Sequence, residues 1–99
     1  MNTPHLHSNP AAGLIEDALA FHGLTQAQAS RDMKIPRSRI TDIFAGRKGV
    51  SADTALRAQR YLGIPASLLL RLQTDFDLSP AIEEKGETVC REVEPLRAS

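Results

Sequence analysis

Apolar residues recur every three or four positions through most of the chain, a spacing that predicts a series of helices. The first helix is expected to start after Asn9, a good N-cap, with Pro10 in its first position. Gly23 followed by Leu24 is a typical helix stop, because glycine tolerates the left-handed conformation that ends many helices. The residues on the inner face of this helix are Leu14, Ile15, Ala18, Leu19 and His22.

Two short helices are predicted next. Thr25 and Gln28 form a capping box, so the second helix begins there and must end before Pro36. Proline lacks an N–H and disfavours the helical region for the residue before it, so the chain turns at residues 34–36. The third helix restarts at Arg37 and ends near Gly46.

The last two predicted helices complete a domain over residues 9–80. Ser51 caps the fourth helix, and Pro65 opens a fifth that carries Leu68, Leu69, Leu72 and Phe76 on one face. Beyond Pro80 the periodicity is lost, and we expect a charged, solvated tail over residues 81–99. Val89 and Val93 leave open a short strand or helix that orders against a partner. Residues 1–8 are polar and aperiodic, which predicts a flexible arm.

Composition agrees with an all-α fold in one small domain. The chain has 99 residues, and its apolar set is dominated by thirteen Ala and twelve Leu, with only three Val. A single cysteine, Cys90, allows no internal disulfide. Neither a membrane-spanning apolar run nor a signal peptide is present, so we expect a cytoplasmic protein without membrane contact.

Charge is segregated along the chain although its formal sum is zero. Residues 31–48 carry six bases against two acids, giving +4, whereas residues 72–99 carry seven acids against three bases, giving −4. A net charge of zero therefore does not argue against nucleic-acid binding, because the positive segment coincides with the two short central helices. The acidic end offers a face for a basic partner.

The two short helices have the spacing of a helix-turn-helix. The apolar positions of this stretch, residues 26–46, are Ala29, Met33, Ile35, Ile40 and Ile43. With these residues in a core, the N-terminal part of the second helix is held outward, where its side chains can enter a major groove. The sequence therefore predicts binding to double-stranded DNA.

Eight side chains are candidates for contact with DNA. Arginine can bind guanine through two hydrogen bonds, Ser and Thr can bond several base edges, and Asp can accept from cytosine. Backbone N–H groups at a helix N-terminus and basic loop residues bind phosphate. Base contacts are expected from Arg37, Ser38 and Asp42, contacts with bases or backbone from Arg39 and Thr41, and backbone contacts from Gln26, Arg47 and Lys48.

Two of these assignments have alternatives. The arginines could form a merely solvated helix face, as most surface arginines do. Asp42 would be repelled by phosphates unless it meets a cytosine or pairs with Arg39.

The central stretch resembles the Cro/C1-type (XRE) helix-turn-helix domain through TQAQASRDMKIPRSRITDIFAGRKGVSADTALRAQRYLG. It is most similar to the HigA-type antitoxins, since residues 72–78 (LQTDFDL) follow that domain. The resemblance covers residues 9–80 and implies a lambda-repressor-like five-helix domain. It further implies a dimer that represses its own operon at a palindromic operator and neutralises a HigB-like toxin, a RelE-like mRNA-cleaving nuclease.

The chain departs from this family pattern in its turn. Lys34 stands where glycine is common, and Ser30 where alanine is usual. A non-glycine residue at positive φ costs about 1 kcal/mol, so either mild strain or a turn of different shape is expected.

Other functions remain open. A stand-alone XRE-family regulator without a toxin would have the same sequence chemistry, and a protein-interaction module that has lost DNA binding is a third possibility. Catalysis is not expected, because adjacent Glu83 and Glu84 point in different directions on a helix. No cofactor or metal is expected, since His5, His7 and His22 lack partners at ligand spacing. The leucines at residues 68–72 could serve the core, a dimer interface, or both.

Overall fold

The computed structural model describes residues 9–96, which form five α-helices and no strand. The helices are α1 (Pro10–Phe21), α2 (Gln26–Met33), α3 (Arg37–Phe44), α4 (Ala52–Leu62) and α5 (Ala66–Glu92). The predicted all-α, five-helix architecture is confirmed. The flexible arm expected over residues 1–8 lies outside the described residues, as do residues 97–99.

The helix ends follow the capping signals in the sequence. The Asn9 side chain accepts a hydrogen bond from the Ala11 N–H at 2.9 Å, which caps α1. Gly23 adopts φ 67, and the Leu24 N–H donates to the Leu19 carbonyl at 2.8 Å, the paired arrangement of a Schellman ending. Both hydrogen bonds of the Thr25 capping box are present at the start of α2.

The fifth helix differs from the expectation, because it continues through Pro80 to Glu92. Residues 81–92 are charged and exposed as expected, but they are helical, so the expected loss of regular structure beyond Pro80 is wrong, and the helix left open around Val89 is present. Pro80 removes one backbone hydrogen bond and crowds the preceding turn, but good helix formers follow it immediately, including Ala81 and residues 83–85. Among residues 9–96, no helix is both long enough and apolar enough to cross a membrane.

The core is a single apolar cluster to which every helix contributes. α1 packs against α3, α4 and α5, while α2 packs against α3 and α4. The fully or almost fully buried members are Ala11, Ala12, Ile15, Leu19, Ala29, Met33, Ile35, Ile40, Ile43, Val50, Ala55, Ala58 and Leu69. All five apolar residues predicted to anchor the helix-turn-helix belong to this cluster, so burial of α2 and α3 against the same core fixes their relative orientation.

A buried amide connects three distant parts of the chain. Gln73 on α5 is 9% exposed, and its Oε1 accepts from Asn9 Nδ2 at 2.6 Å and from the Val50 N–H at 2.7 Å. Its Nε2 donates to Asp77 Oδ1 at 3.0 Å. One side chain thus joins the start of α1, the loop before α4, and α5.

The loop before α4 approaches this amide closely at Gly49. A Cβ atom at this position would lie 2.8 Å from Nε2 and 2.9 Å from Cδ of Gln73. Real Cβ atoms do not come so near other heavy atoms, so a side chain here would displace the amide from its hydrogen bonds. The close approach therefore requires glycine.

Two polar contacts attach α4 to the end of α2. Arg57 donates from Nη1 to the Met33 carbonyl at 3.0 Å, while its Nε pairs with Asp53 at 2.9 Å. The Tyr61 hydroxyl donates to Asp32 at 2.5 Å. The hydrogen bond to this carboxylate raises the pKa of Tyr61 above its ordinary value of 10.0, with smaller contributions from burial and from the negative charge of Asp32.

Replacing Gln73 with leucine is expected to lower the free energy of unfolding by about 2 kcal/mol, because the buried Val50 N–H loses its acceptor. Urea denaturation followed by circular dichroism at 222 nm measures the change. Thr74→Ala is the matched control, an exposed position on the same helix, and should alter stability by less than about 0.5 kcal/mol. Equal stability of the Gln73→Leu variant and the wild type would contradict the role of the amide.

Tyr61 is the single tyrosine of the chain, so its ionisation can be followed directly by ultraviolet absorbance. The phenol should titrate above pH 10.0, and Asp32→Ala should move its pKa back toward that value. The stability that this contact contributes is present below the ordinary pKa and is lost as pH rises through the raised one. Asp53→Ala, which removes a carboxylate not bonded to Tyr61, should leave the titration unchanged.

Candidate nucleic-acid interface

The two departures from the family pattern lie in the turn between α2 and α3 and in the helix that precedes it. Lys34 adopts the left-handed conformation at φ 57 and ψ 43, so the expected strain is present at a conformation that usually requires glycine. Ser30 compensates locally, because its hydroxyl donates to the Ile35 carbonyl at 2.5 Å. The Ile35 N–H in turn donates to the Ser30 carbonyl at 3.1 Å. Ser30 therefore braces the turn that Lys34 strains.

Helix α3 buries one face and exposes the other. Ile40 and Ile43 are each 2% exposed and anchor the helix in the core. Because side chains three, four and seven residues apart share a helix face, Ser38, Asp42 and Ala45 lie in line on the side opposite these anchors. The outward side of α3 is thus polar.

The structure brings most of the predicted site residues to this outward side and to the loop that follows it. Six of the eight are exposed: Arg37, Ser38, Arg39, Thr41, Arg47 and Lys48. Asp42 on α3 and Gln26 at the start of α2 are partly buried. Gln26 is separate from the α3 group in sequence, in the first turn of α2 next to the capping residue Thr25.

The ion pair considered for Asp42 forms with a different arginine. Asp42 Oδ1 accepts from Arg47 Nε at 2.9 Å, whereas no ion pair with Arg39 is formed. The pairing follows from the path of the loop, because Gly46 adopts φ 84 and turns the chain back toward α3. The sequence could not give this partner, since Arg47 lies outside the helix whose spacing suggested Arg39.

The main chain of Asp42 holds the same loop. Its carbonyl accepts from the Arg47 N–H at 2.8 Å and from the Lys48 N–H at 3.2 Å. Both basic residues are therefore fixed at the C-terminal end of α3, although their side chains are exposed.

The surface of α3 and this loop is strongly positive. Among residues 9–96, no carboxylate lies within ion-pair distance of Arg37, Arg39 or Lys48. Exposed arginines and lysines without such partners can bind phosphate oxygens or the acceptor edge of guanine. Within the same described range, no three His, Cys, Asp or Glu side chains are close enough to hold a metal ion.

Sequence reasoning missed the residues that hold this surface in place. The sequence marks Ser30 only as a departure from the family pattern, and no motif singles out Arg57. The spacing of Asp53 and Arg57 by four residues could have suggested their ion pair. Nothing local could have shown that Arg57 reaches the Met33 carbonyl, because the two residues meet only after α4 packs on α2.

Comparison with known proteins gives a consistent assignment. A family model described as helix-turn-helix matches residues 17–69, from within α1 to within α5. Virulence-associated protein I of Dichelobacter nodosus is 37% identical over 82 residues, which are 83% of this chain and 74% of that protein.

Solved structures match the fold over about nine tenths of this chain. The addiction module antidote protein of the HigA family from Coxiella burnetii superposes with a TM-score of 0.78 at 30% identity, covering 89% of this chain and 96% of that one. The Pseudomonas aeruginosa antitoxin HigA, solved with the higBA promoter, gives a TM-score of 0.79 at 29% identity, covering 90% and 97%. The chain thus belongs to the Cro/C1-type (XRE) helix-turn-helix family and has the fold of the HigA antitoxins.

Proposed function

We propose that this protein is a sequence-specific DNA-binding repressor and the HigA-type antitoxin of a toxin–antitoxin module, acting in the cytoplasm without catalytic activity. The observation that carries the proposal is the outward face of α3, which presents exposed hydrogen-bonding side chains while Ile40 and Ile43 fix the helix in the core. A rigid helix of this kind fits the major groove of B-DNA.

Base recognition is assigned to the first turns of α3. Arg37 and Ser38 lie at its N-terminal end, the part that enters the groove most deeply in helix-turn-helix proteins. Arg37 can donate two hydrogen bonds to guanine O6 and N7, and Ser38 can bond several base edges. Arg39 and Thr41 lie on either side of that line and can contact bases or backbone.

Phosphate contacts are assigned to residues outside the exposed face of α3. Gln26 lies in the first turn of α2, where backbone N–H groups attract anions. Arg47 and Lys48 follow the other end of α3, and both are exposed. Contacts on both sides of the groove would fix the register of α3 without reading sequence. Asp42 is included in the interface through its ion pair with Arg47.

A dimer suits this mode of binding. Two-fold symmetry presents two recognition helices about 34 Å apart to the half-sites of a palindromic operator. The distal part of α5 offers a surface for the second copy, because its exposed apolar residues Leu78, Ile82 and Val89 follow one face, and the exposed Val93 follows at the C-cap. A helical extension that contains a proline and a glycine gains stability from such a packing partner. The leucines of residues 68–72 contribute less, since Leu69 is fully buried in the core.

The toxin partnership rests on the likeness to HigA antitoxins. The exposed carboxylates of the distal part of α5, such as Glu83, Glu84 and Glu87, provide a negative surface for a basic HigB-like toxin. The alternative is a stand-alone XRE-family regulator with the same DNA-binding mode. The antitoxin function predicts an adjacent gene for a basic protein of about 100 residues. Co-purification of that gene's product with this chain distinguishes the antitoxin from the stand-alone regulator.

Arg37→Ala is expected to weaken binding to the preferred sequence by about 1 to 3 kcal/mol and to relax the preference at one base pair. Lys48→Ala should weaken binding to all sequences similarly and reduce the slope of log K against log salt by about one. Selection from a random duplex library, followed by fluorescence anisotropy at several salt concentrations, measures both effects. Wild-type affinity and selectivity in Arg37→Ala would show that α3 is not the recognition helix.

Ile82→Asp is expected to convert the dimer to a monomer, because it places a charge in the centre of the apolar stripe of α5. Light scattering coupled to size exclusion should change from twice the 10.8 kDa chain mass to that mass itself. Ala81→Asp adds the same charge at an exposed neighbouring position off the stripe, and should remain dimeric. A dimeric Ile82→Asp protein would exclude this face of α5 as the interface.

A further inference from the structure

We propose that Asp42 is a positioning residue, which orients Arg47 for a phosphate contact and does not read a base. This inference rests on the proposed DNA binding and assigns a specific role to one residue of that interface. Under this inference, only residues in the first turns of α3 determine the DNA sequence preference.

The side chain of Asp42 is already engaged before DNA arrives. Asp42 lies in line with Ser38 on the outward side of α3, yet its side chain is only 29% exposed. Its Oδ1 is held by Arg47 Nε at 2.9 Å. A carboxylate that reads cytosine must accept from the base N4 amino group, and Arg47 already occupies one of the two Asp42 carboxylate oxygens.

The guanidinium keeps most of its binding capacity in this arrangement. The pair uses the single Nε–H, and the four N–H donors on Nη1 and Nη2 of Arg47 have no partner among residues 9–96. The Arg47 side chain is 63% exposed, so these donors are accessible. The planar guanidinium group presents these N–H donors in an arrangement that matches the oxygens of a phosphate.

Asp42 fixes Arg47 at both ends. Its carbonyl accepts from the Arg47 N–H at 2.8 Å, and its carboxylate holds the head group at 2.9 Å. A free arginine loses considerable rotamer entropy when it binds phosphate. A pre-oriented one loses less, and the difference is gained as affinity.

Charge points to the same role. An unpaired carboxylate at this place would repel the DNA backbone, but the ion pair neutralises it. The contact that positions Arg47 therefore also reduces the repulsion between the Asp42 carboxylate and the DNA phosphates.

The chain contains a matched pair for comparison. Asp53 Oδ2 accepts from Arg57 Nε at 2.9 Å, so a carboxylate oxygen and an Nε–H meet at the same distance as in the Asp42–Arg47 pair. That pair lies within α4, and Arg57 already uses Nη1 on the Met33 carbonyl, so it is a fold contact. Asp53→Ala thus removes equivalent chemistry from a position outside the proposed interface.

A double-mutant cycle tests the inference. The variants are Asp42→Ala, Arg47→Ala, the double variant and the Asp53→Ala control, each checked for folding by circular dichroism. Random duplex DNA is selected with each protein, and affinity for the wild-type consensus is measured between 50 and about 300 mM salt.

The inference predicts an unchanged consensus for Asp42→Ala at every base position. It also predicts that Asp42 and Arg47 are coupled by about threefold to tenfold in affinity, so that Asp42→Ala costs less affinity in the Arg47→Ala background than in the wild type. The salt slope should fall by about one in Arg47→Ala. Asp53→Ala should keep both the consensus and the slope.

Three results would overturn it. Loss of preference at one base pair in Asp42→Ala would assign base reading to this residue, and equal effects of Asp42→Ala in both backgrounds would show that it acts without Arg47. In either case the proposed DNA binding would still hold. If the wild-type protein enriched no sequence at all, the proposed function itself would fail, and the role of Asp42 with it.

Discussion

The buried Gln73 amide is the constraint on which the arrangement of the helices depends. An apolar core can hold five small helices together, but apolar contacts are not directional and tolerate small rotations. The amide fixes direction, because its oxygen binds the Asn9 side chain and the Val50 N–H at the same time. It can do so only where Gly49 lets the loop approach. A polar contact inside the core thus determines where the loop after α3 runs, and with it the position of the basic surface.

Local signals in the sequence were sufficient to predict the helices. Caps and stops such as Asn9, Gly23 and Pro36 act on their immediate neighbours, so the bounds of α1 to α4 could be predicted from the residues alone. The continuation of α5 through Pro80 could not, because the cost of one missing hydrogen bond competes with the helix propensity of the residues on both sides. A rule that treats proline as a stop gives the wrong result there.

The candidate site likewise has one part that the sequence predicts and another that only the tertiary structure shows. The exposure of Arg37 and Ser38 follows from the helical period of Ile40 and Ile43, and the sequence contains that period. The contacts that give the surface its shape join residues through turns whose path is set by the fold. The partner of Asp42 is an example, since it depends on the reversal of the chain after α3. Periodicity predicts which side chains face outward, whereas their partners require the tertiary structure.

Charge is unevenly distributed along the chain, with +4 in residues 31–48 around α3 and −4 in residues 72–99, which include most of α5. Such a separation gives the molecule an electric dipole moment despite its zero net charge. In the field of a polyanion, a dipole experiences a torque that turns its positive end forward before contact. The molecule would then meet DNA in a productive orientation more often than by random collision, and added salt would remove this advantage by screening the field.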